Sequence, residues 1–425
     1  MRQLHLGLFI YPGGHHIAGW RHETVDAGSI AQASFYAEAA RAAERGKFDL
    51  FFVGDMLAAR EKDGRVIAEG GLNNIDSISI TSAISSVTER LGLVATLSTT
   101  YNEPFSIAER FASLDHLSGG RAGWNIITTQ NDDAAYNFSR DRHMEKSRRY
   151  ERAQEFVDVC TALWDSWDDG GAAHRIDHAG EAFRVAGPGR LPRPPQGWPV
   201  LVQAGGSPAG MAFAARVAEV IFAAQGSREN GILFRKAIHE KMATGGRRPE
   251  TLKILPGLSP ILGSTEAEAR RKEQELEALV VPAVAIWILS DQLKFRLYDH
   301  DPAEPLPVAA IRASGSNFTP RVASMLDRAE AQGISIRDCA AEVARSRSHG
   351  SFVGTPEQLA DHMQRWFEDG ACDGFNIMPA YFPAELDLFV DEAVPVLQRR
   401  GLFRREYESS TLRGHLGLAV PARRG

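Results

Sequence analysis

The sequence has little of what marks a secreted, membrane-spanning or nucleic-acid-binding protein. Its 425 residues include only three cysteines, which are far apart, so neither a disulfide framework nor a zinc site is expected. No stretch has about 18 consecutive apolar residues, and the N-terminus lacks a signal-peptide pattern. The formal net charge of -6 gives no electrostatic case for nucleic acid or a membrane as partner. We therefore expect a soluble, cytoplasmic protein.

Several common catalytic motifs are also missing. The sequence contains no G-x-S-x-G, no H-E-x-x-H and no paired C-x-x-C. His15 and His16 are adjacent, but no nearby carboxylate or thiol completes a ligand set, so no metal is expected. Because no obvious nucleophile or metal is present, the sequence indicates that a bound cofactor supplies the hard chemistry.

Short apolar segments alternate with longer amphipathic ones along most of the chain. The apolar segments have the low polarity of parallel strands covered on both faces. The alternation predicts an α/β fold, a (β/α)8 barrel with its active site at the carboxyl ends of the strands. The predicted strands are Leu4–Ile10, Phe48–Gly54, Leu91–Leu97, Ala122–Ile127, Pro199–Gln203, Val220–Ala223, Leu252–Leu262 and Phe375–Met378. The predicted helices are Ile30–Arg45, Ile75–Thr88, Ser106–Leu117, Ser147–Trp167, Ala209–Arg216, Gly231–Met242, Thr265–Leu279 and Pro356–Glu368.

Two insertions interrupt a single barrel domain that is predicted over residues 1–403. The first covers about 172–197, and the second covers about 280–350, before the last predicted helix. Connections this long are usually lids, subdomains or disordered segments. Residues 404–425 are predicted to be a C-terminal extension on the surface, with a possible role in oligomer contacts.

Polar side chains follow three of the predicted strands, where a barrel forms its active site. Asp55 either accepts hydrogen bonds from a ligand or caps the following segment. Thr96 either faces a ligand or reflects the β-propensity of threonine. Ser207 and Pro208 follow the fifth strand, where a helix N-terminus suits a phosphate, although a tight strand-to-helix turn explains them equally well.

The segment Ser118–Thr129, SGGRAGWNIITT, combines glycines, a cation, an indole, a carboxamide and hydroxyls. Together with TTYNEPFSIAERFASLDHL before it and RYERAQEFVDVCTALWDSW after it, it resembles the bacterial luciferase-like flavin monooxygenases. The similar branch includes nitrilotriacetate monooxygenase component A, sulfone monooxygenases, long-chain alkane monooxygenases and pristinamycin synthase-type enzymes. Further similar segments are GGHHIAGWR, FFVGDM, VLVQAGGSPAG, GTPEQLAD, GACDGFNIMP and VPVLQRRGL.

The resemblance implies a luciferase-like TIM barrel that assembles as a homodimer or homotetramer and binds FMN in its mouth. It implies that a separate NAD(P)H:flavin reductase supplies reduced FMN (FMNH2). Dioxygen then adds to the flavin C4a atom, and the (hydro)peroxyflavin inserts one oxygen atom into a small organic substrate. Two alternatives stay open: an F420-dependent oxidoreductase of the same fold, and a non-catalytic flavin-binding protein.

The resemblance also implies which residues hold FMN. It places Asp55 and Thr96 at the isoalloxazine ring or its edge, and Asn125 near the ring or the ribityl chain. It places Tyr150 and Ser207 at the phosphate.

One position departs from the pattern of the family. Many relatives have a histidine four residues before the tyrosine at position 150, where this chain has Lys146; either Lys146 replaces that histidine or His143 takes its place. His16 is the candidate for a protonating or substrate-contacting side chain, with a pocket-shaping role as the alternative. Arg121 is expected to anchor the end of the barrel opposite the site through hydrogen bonds and ion pairing, while Trp124 packs against the barrel.

Overall fold

Eight parallel strands form a closed barrel, which confirms the predicted fold class. The computed structural model describes residues 2–58, 61–62, 65–66, 75–129, 132–315, 318, 320–347 and 349–423. Each strand pairs with its neighbours in sequence, and the eighth strand pairs with the first. The strands are β1 (His5–Ile10), β2 (Leu50–Val53), β3 (Gly92–Ser98), β4 (Ala122–Ile127), β5 (Val200–Gln203), β6 (Val220–Ala223), β7 (Lys253–Leu262) and β8 (Gly374–Ile377).

Helices cover the outside of this barrel. Proline occupies the first position of three of them, where its missing N–H leaves no helical hydrogen bond unmade. The predicted start of the helix at Pro356 is confirmed, with Thr355 and Gln358 forming a reciprocal capping box. The helices before the second insertion are α1 (Ala33–Arg45), α2 (Ser77–Ser85), α3 (Pro104–Leu117), α4 (Lys146–Trp164), α5 (Pro208–Val217), α6 (Arg228–Thr244) and α7 (Glu266–Ala278).

The second insertion forms a helical unit with its own apolar core. Its helices are α8 (Pro282–Leu293), α9 (Val308–Ala313), α10 (Pro320–Gln332) and α11 (Ile336–Ser346). Ile17, from the loop after β1, is also part of this core. The sequence did not predict α8, because PAVAIWILSDQL is apolar around most of its circumference and so lacks a clear polar face.

A further strand, Gly350–Gly354, was also not predicted. It pairs with the second half of β7, where Leu258 lies opposite Gly350 and Leu262 opposite Gly354. The ten residues of β7 therefore extend past the barrel and connect the helical insertion to it. In the first insertion, a short hairpin pairs His178–Ala179 with Arg184–Val185.

The last barrel helix lies after β8, which corrects the prediction that α12 (Pro356–Glu368) fills that place. The chain after β8 forms α13 (Ala384–Leu388), a π-helical turn at Phe389–Ala393 and α14 (Val394–Arg399). This helix was not predicted from the sequence, because it contains Pro395 and a proline usually ends a helix. The π-helical turn at Phe389–Ala393 lies just before Pro395 and allows the helix to accommodate this proline.

Residues after 403 do not form a surface extension, so that expectation is wrong for the part that the structure describes. Leu412 and Leu416, in and just after α15 (Leu412–His415), are fully buried in the core inside the barrel. A Cβ on Gly92 or Gly123, near the starts of β3 and β4, would touch the Leu412 side chain. The extension therefore closes the amino end of the barrel.

Arg121 anchors the same end of the barrel, as expected, but through neutral partners. Its guanidinium donates hydrogen bonds to the carbonyl oxygens of Ser118, Leu91, Ser85 and Thr88 and to the Thr88 hydroxyl. In the described residues no carboxylate lies within ion-pair distance of it, so the expected ion pairing is not found. The buried arginine thus holds the chain at the end away from the site.

Trp124, the indole of the same segment, packs outside β4. Its ring lies 5.6 Å from the ring of Phe111 and 5.8 Å from that of Phe156. Its Nε1 donates to the carbonyl oxygen of Leu97 over 3.1 Å. Trp124 therefore joins the fourth strand to the surrounding helices, as predicted.

The described ranges contain neither a single membrane-spanning helix nor a metal-binding group of side chains. Within the described ranges, no single helix is long and apolar enough to cross a membrane; α7 and α8 pass only as a pair bent by 89°. The same ranges contain no group of three or more His, Cys, Asp or Glu side chains that could hold a metal ion.

Candidate functional site

Thr96 and Asn125 lie side by side at the mouth of the barrel. They are register partners on β3 and β4, and both are buried. Asn125 Nδ2 donates to Thr96 Oγ1 over 3.0 Å, and Thr96 Oγ1 donates to the carbonyl oxygen of Val53 over 2.6 Å. Asn125 Oδ1 is buried without a hydrogen-bond partner. A buried carbonyl oxygen is costly to leave unpaired, so this atom marks a place for a ligand donor.

Asp55 joins this network through the start of α2. Its two carboxylate oxygens accept from the backbone N–H groups of Met56 and Ser77, over 2.7 and 3.1 Å. Ser77 Oγ in turn donates to the carbonyl oxygen of Thr96 over 2.7 Å. Burial raises the pKa of Asp55, while the hydrogen bonds from Ser77 and Met56 oppose that shift. Asp55 thus caps the following segment, one of the two roles open from the sequence.

A cavity of about 140 Å³ opens beside these side chains. Asp55 and Thr96 line it from the strand ends, together with Ser98 and Ile127, and Phe138 covers its outer side. Of the three residues expected near the flavin ring, Asp55 and Thr96 line this cavity.

Tyr150 and Ser207 meet at the N-terminus of α5. Ser207 caps this ten-residue helix, accepting a hydrogen bond from the backbone N–H of Gly210 over 3.2 Å. A Cβ on Gly210 would lie 3.0 Å from the Tyr150 hydroxyl oxygen, so that hydroxyl contacts the first turn of the helix. A serine hydroxyl and a tyrosine hydroxyl at the positive end of the helix dipole together suit an anion.

The His143 side chain is half-buried at the mouth, whereas Lys146 is exposed at the start of α4. Arg149 Nη1 lies 2.7 Å from His143 Nε2, and His143 Nδ1 lies 2.5 Å from the Tyr101 hydroxyl. His143 Nε2 also lies 3.0 Å from the carbonyl oxygen of Thr129, so both ring nitrogens have polar neighbours. Tyr101 was not predicted, since nothing in its spacing points to His143.

His16 is buried, and it is not among the rings that cluster at the mouth. Its Nδ1 accepts from the backbone N–H of Ala18 over 3.2 Å. Burial, aided by the charges of Arg347 and Arg345, lowers the pKa of His16 to about 3. The ring is therefore neutral at physiological pH and carries its proton on Nε2. In this state it can donate a hydrogen bond, but it is not an imidazolium acid.

His15 and His349, by contrast, belong to an aromatic cluster at the mouth. The His15 ring lies 6.1 Å from that of Phe9 and 5.5 Å from that of His349. His349 stacks on Phe222 at 4.8 Å. A Cβ on Gly257 would lie 2.5 Å from His349 Nδ1, so the glycine is required for this ring to enter the barrel. His349 was not predicted, because it lies far along the chain, just before the strand that joins the insertion to β7.

A (β/α)8 barrel whose mouth combines an unpaired carboxamide oxygen, an anion-suited helix N-terminus and a wall of aromatic rings has the features of a cofactor-dependent barrel enzyme. A family model described as luciferase-like monooxygenase matches residues 14–373. The chain therefore belongs to the luciferase-like monooxygenase family.

Similar proteins extend over the whole chain. N-acetyl-S-(2-succino)cysteine monooxygenase of Bacillus subtilis (strain 168) is 44% identical and covers 100% of this chain and 98% of its own. Nitrilotriacetate monooxygenase component A of Aminobacter aminovorans is 42% identical, over 99% and 97% of the two chains. A solved structure of riboflavin lyase with modified FMN and riboflavin has a TM-score of 0.86 and 30% sequence identity. The match covers 99% of this chain and 97% of the riboflavin lyase chain. The protein is a flavin-dependent monooxygenase.

Proposed function

We propose that this enzyme uses reduced FMN, delivered by a separate NAD(P)H:flavin reductase, to insert one atom of dioxygen into a small organic substrate. The observation that carries the proposal is the unpaired Asn125 Oδ1 at the mouth. Flavin mononucleotide offers N–H and hydroxyl donors for that oxygen and a phosphate for the N-terminus of α5. When bound, reduced FMN supplies the electrons that activate dioxygen, and the second oxygen atom leaves as water.

The residues of the mouth fit both ends of such a molecule. Asn125 would accept from the ring or the ribityl chain, while Thr96 holds its carboxamide in place. Ser207 and Tyr150 would hold the phosphate at the positive end of the α5 dipole. His143, rather than Lys146, would act beside them, because Arg149 and Tyr101 fix its ring.

The remaining role of the protein is to position the substrate and exclude water. The rings of Phe9, Phe222 and His349 give the mouth an apolar floor on which an organic substrate can lie. His349, which follows the helical insertion, supplies one of these rings. Exclusion of water protects reactive oxygen species from hydrolysis and strengthens the hydrogen bonds that orient the reactants.

Two comparisons support the finer parts of the proposal. The relative from Aminobacter aminovorans is named component A, which supports a separate reductase as partner. The relative from Bacillus subtilis is named for N-acetyl-S-(2-succino)cysteine, which makes that compound a first substrate to test here. We further propose a homodimer or homotetramer, to be checked by light scattering.

The function is tested by supplying the purified protein with photoreduced FMN and ¹⁸O-labelled dioxygen. Candidate substrates are N-acetyl-S-(2-succino)cysteine, nitrilotriacetate and dibenzothiophene sulfone, which the names of relatives print. Incorporation of one labelled oxygen atom per product is expected, together with its loss in Asn125→Leu. Turnover with reduced F420 instead of reduced FMN would favour the F420-dependent alternative, and stoichiometric FMN binding without any product would favour a flavin-binding protein.

A further inference from the structure

One wall of the mouth presents a cation next to an unpartnered hydroxyl. Tyr11 follows β1; its side chain is buried and its hydroxyl has no hydrogen-bond partner. Arg347 follows α11 and places its guanidinium carbon 4.2 Å from the centre of the Tyr11 ring. Arg347 Nε donates to the carbonyl oxygen of His15 over 3.0 Å, which fixes the cation against this loop.

His16 adds a third hydrogen-bond donor on the same loop. Because its Nδ1 accepts from Ala18, the neutral ring carries its proton on Nε2, and that atom is buried without a partner. The positive charge of Arg347 helps to hold the pKa of His16 down, which agrees with a guanidinium close to the imidazole. The unsatisfied groups on this loop are therefore donors, beside a full positive charge.

The backbone of Arg347 is held in an uncommon conformation. Its φ of 44° lies in the left-handed region, where Arg347 caps the C-terminus of α11. Its N–H donates to the carbonyl oxygen of Val343 at the end of α11, over 2.9 Å. This turn directs the chain back across the mouth, so that Arg347 reaches Tyr11 and His349 reaches Phe222.

We propose that the substrate carries a carboxylate, which binds between the Arg347 guanidinium and the Tyr11 hydroxyl. The inference rests on the proposed function, because it names the substrate class of the same mouth. A carboxylate accepts from both groups, and a charged partner makes these hydrogen bonds strong. The proposed place of the flavin phosphate is Ser207, in the turn after β5, and β5 lies four strands away from β1, on the opposite side of the barrel. The rest of the substrate then lies over the ring of Phe222.

The test uses flavin-free full-length protein and a matched pair of probes, tricarballylate and its uncharged trimethyl ester. Isothermal titration should detect tricarballylate but not the ester. Arg347→Met should weaken tricarballylate binding at least about tenfold, since a charge-assisted hydrogen bond is lost, and Arg347→Lys should fall between the two. Arg337→Met removes an exposed cation from the same helix and should bind like the unmodified chain. Tyr11→Phe, which removes only the hydroxyl, should weaken binding about three- to tenfold.

Thermal unfolding of every variant and a separate titration with reduced FMN complete the design. Folded Arg347→Met protein with normal FMN affinity and weakened tricarballylate binding supports the proposal. Equal binding of acid and ester, equal effects of Arg347→Met and Arg337→Met, or no acid binding at millimolar concentration overturns it. A protein that binds tricarballylate through Arg347 but never binds FMN would instead refute the proposed function and leave the carboxylate site standing.

Discussion

Asn125 donates from Nδ2 to Thr96 Oγ1, which itself donates to the carbonyl oxygen of Val53. Because the single hydroxyl proton of Thr96 is used on Val53, its oxygen can only accept from Asn125. The carboxamide must therefore present its amide hydrogens to Thr96 and its Oδ1 to the mouth. This relationship orients the Asn125 oxygen as an acceptor, and under the proposed function its donor is the flavin.

Removal of the Thr96 hydroxyl should weaken flavin binding through Asn125. Thr96→Val leaves the carboxamide without an orienting partner, so we expect reduced-FMN affinity to fall about three- to tenfold. Asn125→Leu should reduce it at least about tenfold. Adding Thr96→Val to Asn125→Leu should then change the dissociation constant little further, because both act through one atom. Independent effects in this double-mutant cycle would contradict the shared role.

The buried, neutral His16 should make the protein less stable in mild acid. Its folded pKa of about 3 lies below the unfolded value of 6.5, so the unfolded state binds more protons between these values. The free energy of unfolding should therefore fall, as pH decreases from about 6 to about 4, by about 1.4 kcal/mol per pH unit from this group. Urea unfolding of His16→Asn should show a shallower pH dependence than the unmodified chain. Identical slopes would mean that His16 titrates normally.

Substitution of Arg121 should destabilise the barrel without affecting the mouth. Arg121→Met leaves the carbonyl oxygens of Ser85, Thr88 and Leu91 without their donor, so we expect the free energy of unfolding to fall by about 3 kcal/mol or more. Arg121→Lys should recover only part of this loss, since an ammonium cannot reproduce the planar set of donors. The control Arg41→Met removes an exposed cation and should stay within about 0.5 kcal/mol. Chemical denaturation compares the three variants.

The closed amino end of the barrel gives a matched pair of leucine variants. Leu412→Ala should lower the free energy of unfolding by about 2–5 kcal/mol, because it opens a cavity among buried strand residues. Leu233→Ala, on α6, truncates a side chain that is 64% exposed and should have little effect. Reduced-FMN affinity of the folded Leu412→Ala protein should be unchanged, since the site lies at the other end. Equal stability of the two variants would contradict the closure.

The sequence allowed the barrel and much of the site to be predicted, because both depend on local patterns. Apolar runs mark the strands, and polar residues at or soon after the carboxyl end of a run face the mouth, which is why Asp55, Thr96 and Ser207 could be chosen. Tyr150 and Asn125 came from the resemblance instead. The structure also places Tyr150 against Gly210 and Phe213 of α5, a contact between α4 and α5 that no spacing shows.

The parts that could not be predicted depend on contacts between distant segments. Arg347 and His349 reach the mouth only because the helical insertion folds as a unit and a further strand returns it to β7. Leu412 is buried because the basic tail crosses the open end of the barrel, where Arg413 forms an ion pair with Glu219. Composition alone places such a tail in solvent. Which of His15 and His16 joins the aromatic rings of the mouth likewise depends on the direction of each side chain, and the sequence does not show that direction.

We propose that the mouth of this barrel holds reduced FMN between Asn125 and the N-terminus of α5. An anaerobic equilibrium titration, followed by flavin fluorescence, measures this most directly. We expect one bound reduced FMN per chain. The affinity should decrease at least about tenfold in the single variant Asn125→Leu and in the double variant Tyr150→Phe/Ser207→Ala. Absence of binding, or binding of equal affinity in all of these variants, would contradict it.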